Sequence, residues 1–224
     1  MNASLYSTRQ SNINSPVALL TEEEFIRPEG CFKEARLNKQ AARKEIISDL
    51  KKLSAAAREE KSKQIRKHLL EFKDFTDAST VLMFASLSSE PDLFPLLDDP
   101  DLGHITFCFP KMERKSLALY AVENIKHLVP GQGKLLEPDP KKCDLIEVDD
   151  IEIALIPGLA FAERSGGRLG RGGGFYDRLL AEEFLHAQSL GVCFHSQIKT
   201  TLPLEPHDEL VDGMVTEMGL KLVH

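Results

Sequence analysis

Six of the chain's 14 glycines fall within nine residues, Gly166 to Gly174, interleaved with Arg168 and Arg171 and followed at once by Phe175, Tyr176 and Asp177. Upstream, Ile151 to Pro157 (IEIALIP) is apolar and β-branched enough to form a buried strand. Downstream, Phe175, Leu179, Leu180, Phe184, Ala187 and Leu190 recur near helical spacing, which predicts a helix of about four turns. A strand, a glycine-rich turn and a helix N-terminus in succession place backbone N–H groups and the positive end of a helix dipole where phosphate oxygens can sit. Glycine suits such a turn because a side chain would hold the ligand off the backbone and because positive φ costs it little.

Arg168 and Arg171 add guanidinium forks able to contact phosphate or carboxylate in pairs of hydrogen bonds. The run is neither familiar nucleotide signature: G-x-x-x-x-G-K-[ST] is absent, and G-x-G-x-x-G fails because Phe175 stands at its last position. The plain alternative is a glycine-rich surface turn with solvated arginines. Asp177 also reads two ways, as a first-turn carboxylate favoured by the helix dipole or, beside polyphosphate, as a magnesium ligand.

With 224 residues the chain can bury a substantial core. The interleaving of strand-like and helix-like segments predicts an α/β fold, a three-layer arrangement of a largely parallel sheet with helices on both faces. Residues 1–32 are polar apart from Val17 to Leu20 and read as a flexible N-terminal extension, leaving 33–224 as a single domain. No run of about 18 apolar residues is present, so no membrane span is expected. Cys31, Cys108, Cys143 and Cys193 lack metal-ligand spacing, which points to a reducing cytoplasm, and Cys108 and Cys193, in the apolar runs TFCFP and GVCFH, read as buried thiols. The net charge of −7 argues against a general nucleic-acid binder. It is unevenly spread: Lys33 to Lys67 carries twelve Lys or Arg against five Asp or Glu, a local +7 that leaves −14 elsewhere.

From Lys33 the pattern gives a helix to Leu53 and another over Ala55 to Glu71, with Ser54 as its N-cap. Strands are expected over Thr80 to Leu87, Ile105 to Phe109 (stopped by Pro110), Leu117 to Val122, Ile153 to Ile156 and Gly191 to His195, the last core strand. A short helix is expected at Leu93 to Leu97 and a loop over Pro130 to Pro140. Ligands in such folds collect at the carboxyl ends of strands. Glu90 and Lys111 stand just past strand ends, and each reads equally as an exposed loop charge. The segment LPLEPHDELVDGMVTE brings Glu205, His207, Asp208, Asp212 and Glu217 close in sequence, with His207 and Asp208 as metal or proton-transfer candidates.

Taken together, these segments resemble the 5-formyltetrahydrofolate cyclo-ligases, also called 5,10-methenyltetrahydrofolate synthetases. The resemblance is carried by IPGLAFAERSGGRLGRGGGFYDRLL at Ile156 to Leu180, LGVCFHSQ at Leu190 to Gln197, LPLEPHDELVDGMVTE at Leu202 to Glu217, KQAARKEI at Lys39 to Ile46 and CFPK at Cys108 to Lys111. It implies a cytoplasmic, monomeric ligase of one-carbon metabolism. Such an enzyme uses ATP and magnesium to convert 5-formyltetrahydrofolate to 5,10-methenyltetrahydrofolate, releasing ADP and phosphate. It also implies a route: the formyl oxygen attacks the γ-phosphate, N10 closes the ring, and phosphate leaves. Phosphoryl transfer of this kind needs positioning and charge neutralisation more than a covalent nucleophile.

By the same resemblance, Lys39 and Arg43 contact ATP phosphates, with Arg43 also near the folate, and Lys39 and Arg171 are the catalytic cations. Arg168, Leu169, Gly170, Arg171, Gly172, Gly173, Gly174, Phe175 and Tyr176 form the nucleotide loop. The stretch from Arg171 to Phe175 also faces the substrate, Ala85 and Glu90 contact the folate, and Asp177 and Asp208 hold magnesium. Phe175 stands where relatives often carry tyrosine, which removes a hydroxyl and keeps a stacking face. A sugar-phosphate isomerase or acyl transferase would explain the anion loop without the two aspartates. A non-catalytic folate or nucleotide binder is the reading from another class.

Overall fold

The computed structural model describes residues 29–131 and 135–223. Most of the expected extension, 1–28, lies outside them, and 29–32 are already the first turn of helix α1 (Glu29–Lys52). Helix α2 (Ala55–Leu70) starts where expected: the Ser54 hydroxyl accepts a hydrogen bond from the Ala57 N–H, satisfying one of the donors a helix start leaves open. A single turn, α3 (Lys73–Thr76), leads into the sheet.

The strands in chain order are β1 (Thr80–Leu82), β2 (Thr106–Met112), β3 (Leu117–Ala121), β4 (Leu128–Pro130), β5 (Leu136–Pro138), β6 (Leu145–Ile146) and β7 (Ile153–Pro157). After them come β8 (Ala160–Ala162), β9 (Arg168–Leu169), helix α4 (Phe175–Leu180), β10 (Gln188–Val192), β11 (Ile198–Lys199), β12 (Gly213–Thr216) and β13 (Gly219–Leu222). Eight strands form the main sheet in the order β13-β12-β10-β7-β1-β2-β3-β6. Its centre is parallel through the pairings β12–β10, β10–β7, β7–β1 and β1–β2, while β13, β3 and β6 add antiparallel edges. The sheet is therefore mixed, and the expectation of a largely parallel one describes its centre only.

Period-2 alternation sends each strand's residues to opposite faces. Val81, Ile153 and Leu155 pack on the first face with Ile46, Leu50, Ile65, Leu69 and Phe75 of α1, α2 and α3. Leu82, Ala154 and Ile156 pack on the second face with Leu179 of α4 and with Phe161 of β8. Helices thus dominate one face, whereas the other is covered by one short helix and the small sheet β11-β8-β9. Among the fully buried side chains are Phe75, Phe109, Phe161 and Phe194, each contributing about 1.5–3 kcal/mol by leaving water.

Several boundaries differ from the sequence reading. β1 ends at Leu82, and Met83 to Leu87 continues as irregular chain toward the site. The expected helix at Leu93 to Leu97 is a 3-10 helix, Phe94–Asp98. Pro110 does not stop β2. Val122 N–H donates to Phe107 O and Met83 N–H to Cys108 O, so alternation turns the Pro110 nitrogen toward β1, past its end, where no donor is needed. The Pro130 to Pro140 stretch contains the hairpin β4–β5 rather than loop alone. α4 spans six residues, not four turns, because Leu190, counted in its pattern, belongs to β10. β12 and β13 extend the sheet past what was expected to be its last strand. No helix among the described residues is long and apolar enough to cross a membrane.

Candidate active site

A cavity of about 610 Å³ opens at the carboxyl ends of β7, β1 and β2. Pro157 and Gly158 from the end of β7, Phe84 and Ala85 past β1, and Pro110 and Met112 of β2 form its floor. The glycine run forms one wall. Its first residues are fixed because β9 pairs antiparallel with β8, and the Leu159 N–H donates to Leu169 O at 2.8 Å. Gly172 at φ 103° and Gly174 at φ 65° then take conformations that L side chains rarely adopt, and Gly174 caps α4.

Helix α1 supplies two cations to the cavity. Lys39 and Arg43 stand four residues apart and so share a helix face. The buried Lys39 ammonium donates to Glu205 Oε2 at 2.8 Å and to Asp208 Oδ2 at 2.5 Å. Arg43 Nε donates to Gly170 O at 2.9 Å, tying the helix to the glycine loop.

The two loop arginines have different environments. Arg168 is only 5% exposed, which excludes the solvated-arginine reading for it. Its Nη2 donates to Asp177 Oδ1 at 2.7 Å, its Nη1 to Pro157 O at 3.3 Å, and its guanidinium lies 5.7 Å from the Tyr176 ring centroid. Its Nε is buried without a hydrogen-bond partner. Arg171 is exposed and donates from Nε and Nη2 to Glu90 Oε1 at 3.1 and 2.8 Å. Glu90 Oε2 accepts from the Leu87 N–H at 3.0 Å, so this carboxylate is buried and not the exposed loop acid. Burial pushes the Tyr176 hydroxyl above the usual phenol range; the Glu90 charge adds to the shift and Arg168 opposes it. At pH 7 Tyr176 is therefore a neutral phenol and not a base.

The residues assigned to the site by the resemblance all line this one cavity: Lys39, Arg43, Ala85, Glu90, the run Arg168 to Asp177, and Asp208; His207 and Glu205 line it too, whereas Lys111, Asp212 and Glu217 do not. The two expected magnesium ligands are engaged separately, Asp177 by Arg168 and Asp208 by Lys39. Among the described residues, the group of possible metal donors within 4.8 Å of one another is Glu205, His207 and Asp208, and Asp177 is not in it. Sequence reasoning gave Glu205 no role and missed Glu137, a buried carboxylate 3.4 Å from Lys111 Nζ. It also missed the apolar wall of Met112, Leu117, Leu135 and Leu136. The charge run around Glu205 was visible, whereas Glu137 sits in a proline-flanked stretch with no motif to mark it.

The model of the 5-formyltetrahydrofolate cyclo-ligase family matches residues 35–217, a span that includes all of these side chains. The chain belongs to that family, and it is a ligase. The mitochondrial 5-formyltetrahydrofolate cyclo-ligase of Arabidopsis thaliana is 29% identical over 215 residues, covering 84% of this chain and 76% of that protein. The Mycolicibacterium smegmatis cyclo-ligase is 28% identical over 184 residues, covering 80% of this chain and 93% of its own. Among solved structures, the Aquifex aeolicus 5,10-methenyltetrahydrofolate synthetase matches with a TM-score of 0.74 at 28% identity, covering 83% of this chain and 93% of that one. The cyclo-ligase fold thus accommodates both the parallel centre and the antiparallel edges described above.

Proposed function

We propose that the cavity carries out the ATP- and magnesium-dependent conversion of 5-formyltetrahydrofolate to 5,10-methenyltetrahydrofolate, with release of ADP and phosphate. The observation that carries this reading is the convergence of a glycine loop, four cationic side chains and five acidic ones on one cavity with an apolar end. Polyphosphate requires the first part and a flat heterocycle the second.

α4 is too short to supply a large dipole, so the work of holding phosphate falls on loop N–H groups, Arg168, Arg171, Lys39 and Arg43. The unpartnered Arg168 Nε is a donor still to be used. The oxygen-rich set at Asp208 and Glu205, with Asp177 across the loop, has the chemistry magnesium prefers. Bound there, magnesium would neutralise phosphate charge. Glu205 keeps Lys39 placed when Asp208 turns to another partner, because the lysine is bonded to both.

In the reaction the formyl oxygen attacks the γ-phosphate and ADP leaves. N10 then attacks the activated formyl carbon, the ring closes, and phosphate departs with the former formyl oxygen. Lys39 and Arg171 neutralise charge on the transferring group, which is where preorganised cations contribute most. Ala85, Glu90 and Phe175 face the folate, and the ring of Phe175 is held from outside by Arg178, 4.9 Å from its centroid. Residues 33–224 act as one catalytic domain in this reading.

The deciding experiment mixes purified protein with 5-formyltetrahydrofolate, magnesium and ATP and follows 5,10-methenyltetrahydrofolate absorbance against an ATP-free control. An ATP-dependent rise is expected. Binding of both ligands without a rise would sink the catalytic assignment and leave a binding protein.

A further inference from the structure

Between Arg171 and Phe175 the chain is glycine alone, so the shape of the loop there depends on what holds its backbone. At one end Arg43 Nε donates to Gly170 O at 2.9 Å. At the other, Arg178 of α4 donates from Nη2 to Gly173 O at 3.1 Å. The same guanidinium donates from Nε to Lys115 O, in the turn between β2 and β3, and lies 4.9 Å from the Phe175 ring centroid. That turn is a fixed point, because Met112 pairs with Leu117 across it and the Glu113 N–H donates to Ser116 O at 3.0 Å. Arg178 thus ties the loop to the main sheet.

A basic residue in the last turn of a helix ordinarily serves the dipole, whose negative end lies there. Arg178 does not. Helical side chains lean toward the N-terminus, and its guanidinium reaches back past Phe175 to Gly173, the end where a dipole repels a cation. The loop is shaped to receive it: a Cβ on Gly174 would lie 2.8 Å from Arg178 Nη1, and one on Gly173 would lie 2.9 Å from Phe175 Cδ2. A trans peptide points its C=O and the following N–H to opposite sides. Gly173 O is turned to Arg178, which does not line the cavity, so the Gly174 N–H is turned toward the cavity that both glycines line. Among the described residues that N–H meets no acceptor.

We propose that Arg178 is a positioning residue, which aims the Gly174 N–H at a phosphate oxygen of ATP and sets the Phe175 ring against the folate. The inference rests on the ATP and folate reading above. The two effects use different properties of one side chain. The ring needs a cation over its face, whereas the loop needs a fork that holds Gly173 O and Lys115 O together. Lysine retains the first and cannot supply the second, since whichever carbonyl its single nitrogen takes, the tie from loop to sheet is cut.

The test measures dissociation constants of MgATP and of 5-formyltetrahydrofolate by titration calorimetry for wild type, Arg178→Lys and Arg178→Met, with the melting temperature of each. Arg178→Lys should weaken MgATP about tenfold and folate by less than about twofold. Arg178→Met should weaken MgATP to the same extent and folate about fourfold, because the ring loses its cation. Both variants should melt within about 4 °C of wild type. If Arg178→Met fails to fold, Arg178→Lys carries the test by itself. MgATP affinity unchanged in Arg178→Lys, or both ligands weakened by the same factor in it, would overturn the assignment. Wild type that binds both ligands and yields no ATP-dependent product would overturn the reaction alone, since affinities are read without turnover. Wild type that binds neither would overturn both.

Discussion

Lys39 Nζ stands 2.8 Å from Glu205 Oε2 and 2.5 Å from Asp208 Oδ2, so one buried ammonium is shared by two buried carboxylates. Removing that ammonium takes the charged donor from both, although Asp208 Oδ2 keeps the Glu205 N–H at 2.6 Å. Lys39→Met should cost about 3–5 kcal/mol in urea unfolding and lower kcat/KM at least about 100-fold. An unchanged urea midpoint would contradict the shared-ammonium account even if activity fell.

Asp177 accepts from Arg168 at 2.7 Å and is also proposed to hold magnesium, and the two roles separate in one variant. Asp177→Asn retains an oxygen for the guanidinium. The magnesium concentration for half-maximal activity should rise about tenfold or more, while the melting temperature falls by less than about 4 °C. Identical magnesium dependence would remove Asp177 from the cation site.

Arg171 is exposed and its guanidinium bridges the glycine loop to Glu90. Arg171→Ala should raise the KM for ATP, for folate or for both by about tenfold, a loss of roughly 1.4 kcal/mol of binding. Steady-state kinetics that return both wild-type constants would leave Arg171 as a surface side chain.

Glu217 accepts from Lys61 and, at 2.7 Å, from the His195 N–H. Burial alone would raise its carboxyl, but Lys61 and the backbone donors outweigh burial and hold it below the ordinary 4.5. A carboxyl lowered in the fold stabilises above its unfolded value and ceases to do so as pH falls through its folded value. Glu217→Gln should therefore be less stable by about 2 kcal/mol at pH 7, and the gap should close below pH 4.5. A gap that persists unchanged at pH 3 would show that the hydrogen bonds, and not the charge, carry the effect.

The sequence marked those parts of the site whose chemistry is local. Gly166 to Gly174 announced itself by composition, and Ser54 by its position ahead of a helical pattern. It failed where tertiary packing assigns the residue. Leu190 fits a helical period with Leu179 yet lies in β10, because the chain turns at Ala181 after only six residues. Pro110 reads as a strand stop, but the end of β1 frees its nitrogen side. β12 and β13 were hidden by Gly213, Gly219 and the exposed Met218 between them, which break the apolar alternation. Glu137 has no local signal at all, since only the packing of β5 on β2 brings it to the cavity.

The bond from Lys39 to Asp208 spans 169 residues and joins the first described helix to one of the last loops. A growing chain on the ribosome can form α1, α2 and the strands through β10 while the site is still incomplete. Contacts of such long sequence separation form late and slowly. Until residue 205 has emerged, Lys39 has neither of its two carboxylates. The enzyme's two ends thus meet last, and premature termination anywhere short of Glu205 yields a product that has most of the sheet but lacks both carboxylate partners of Lys39.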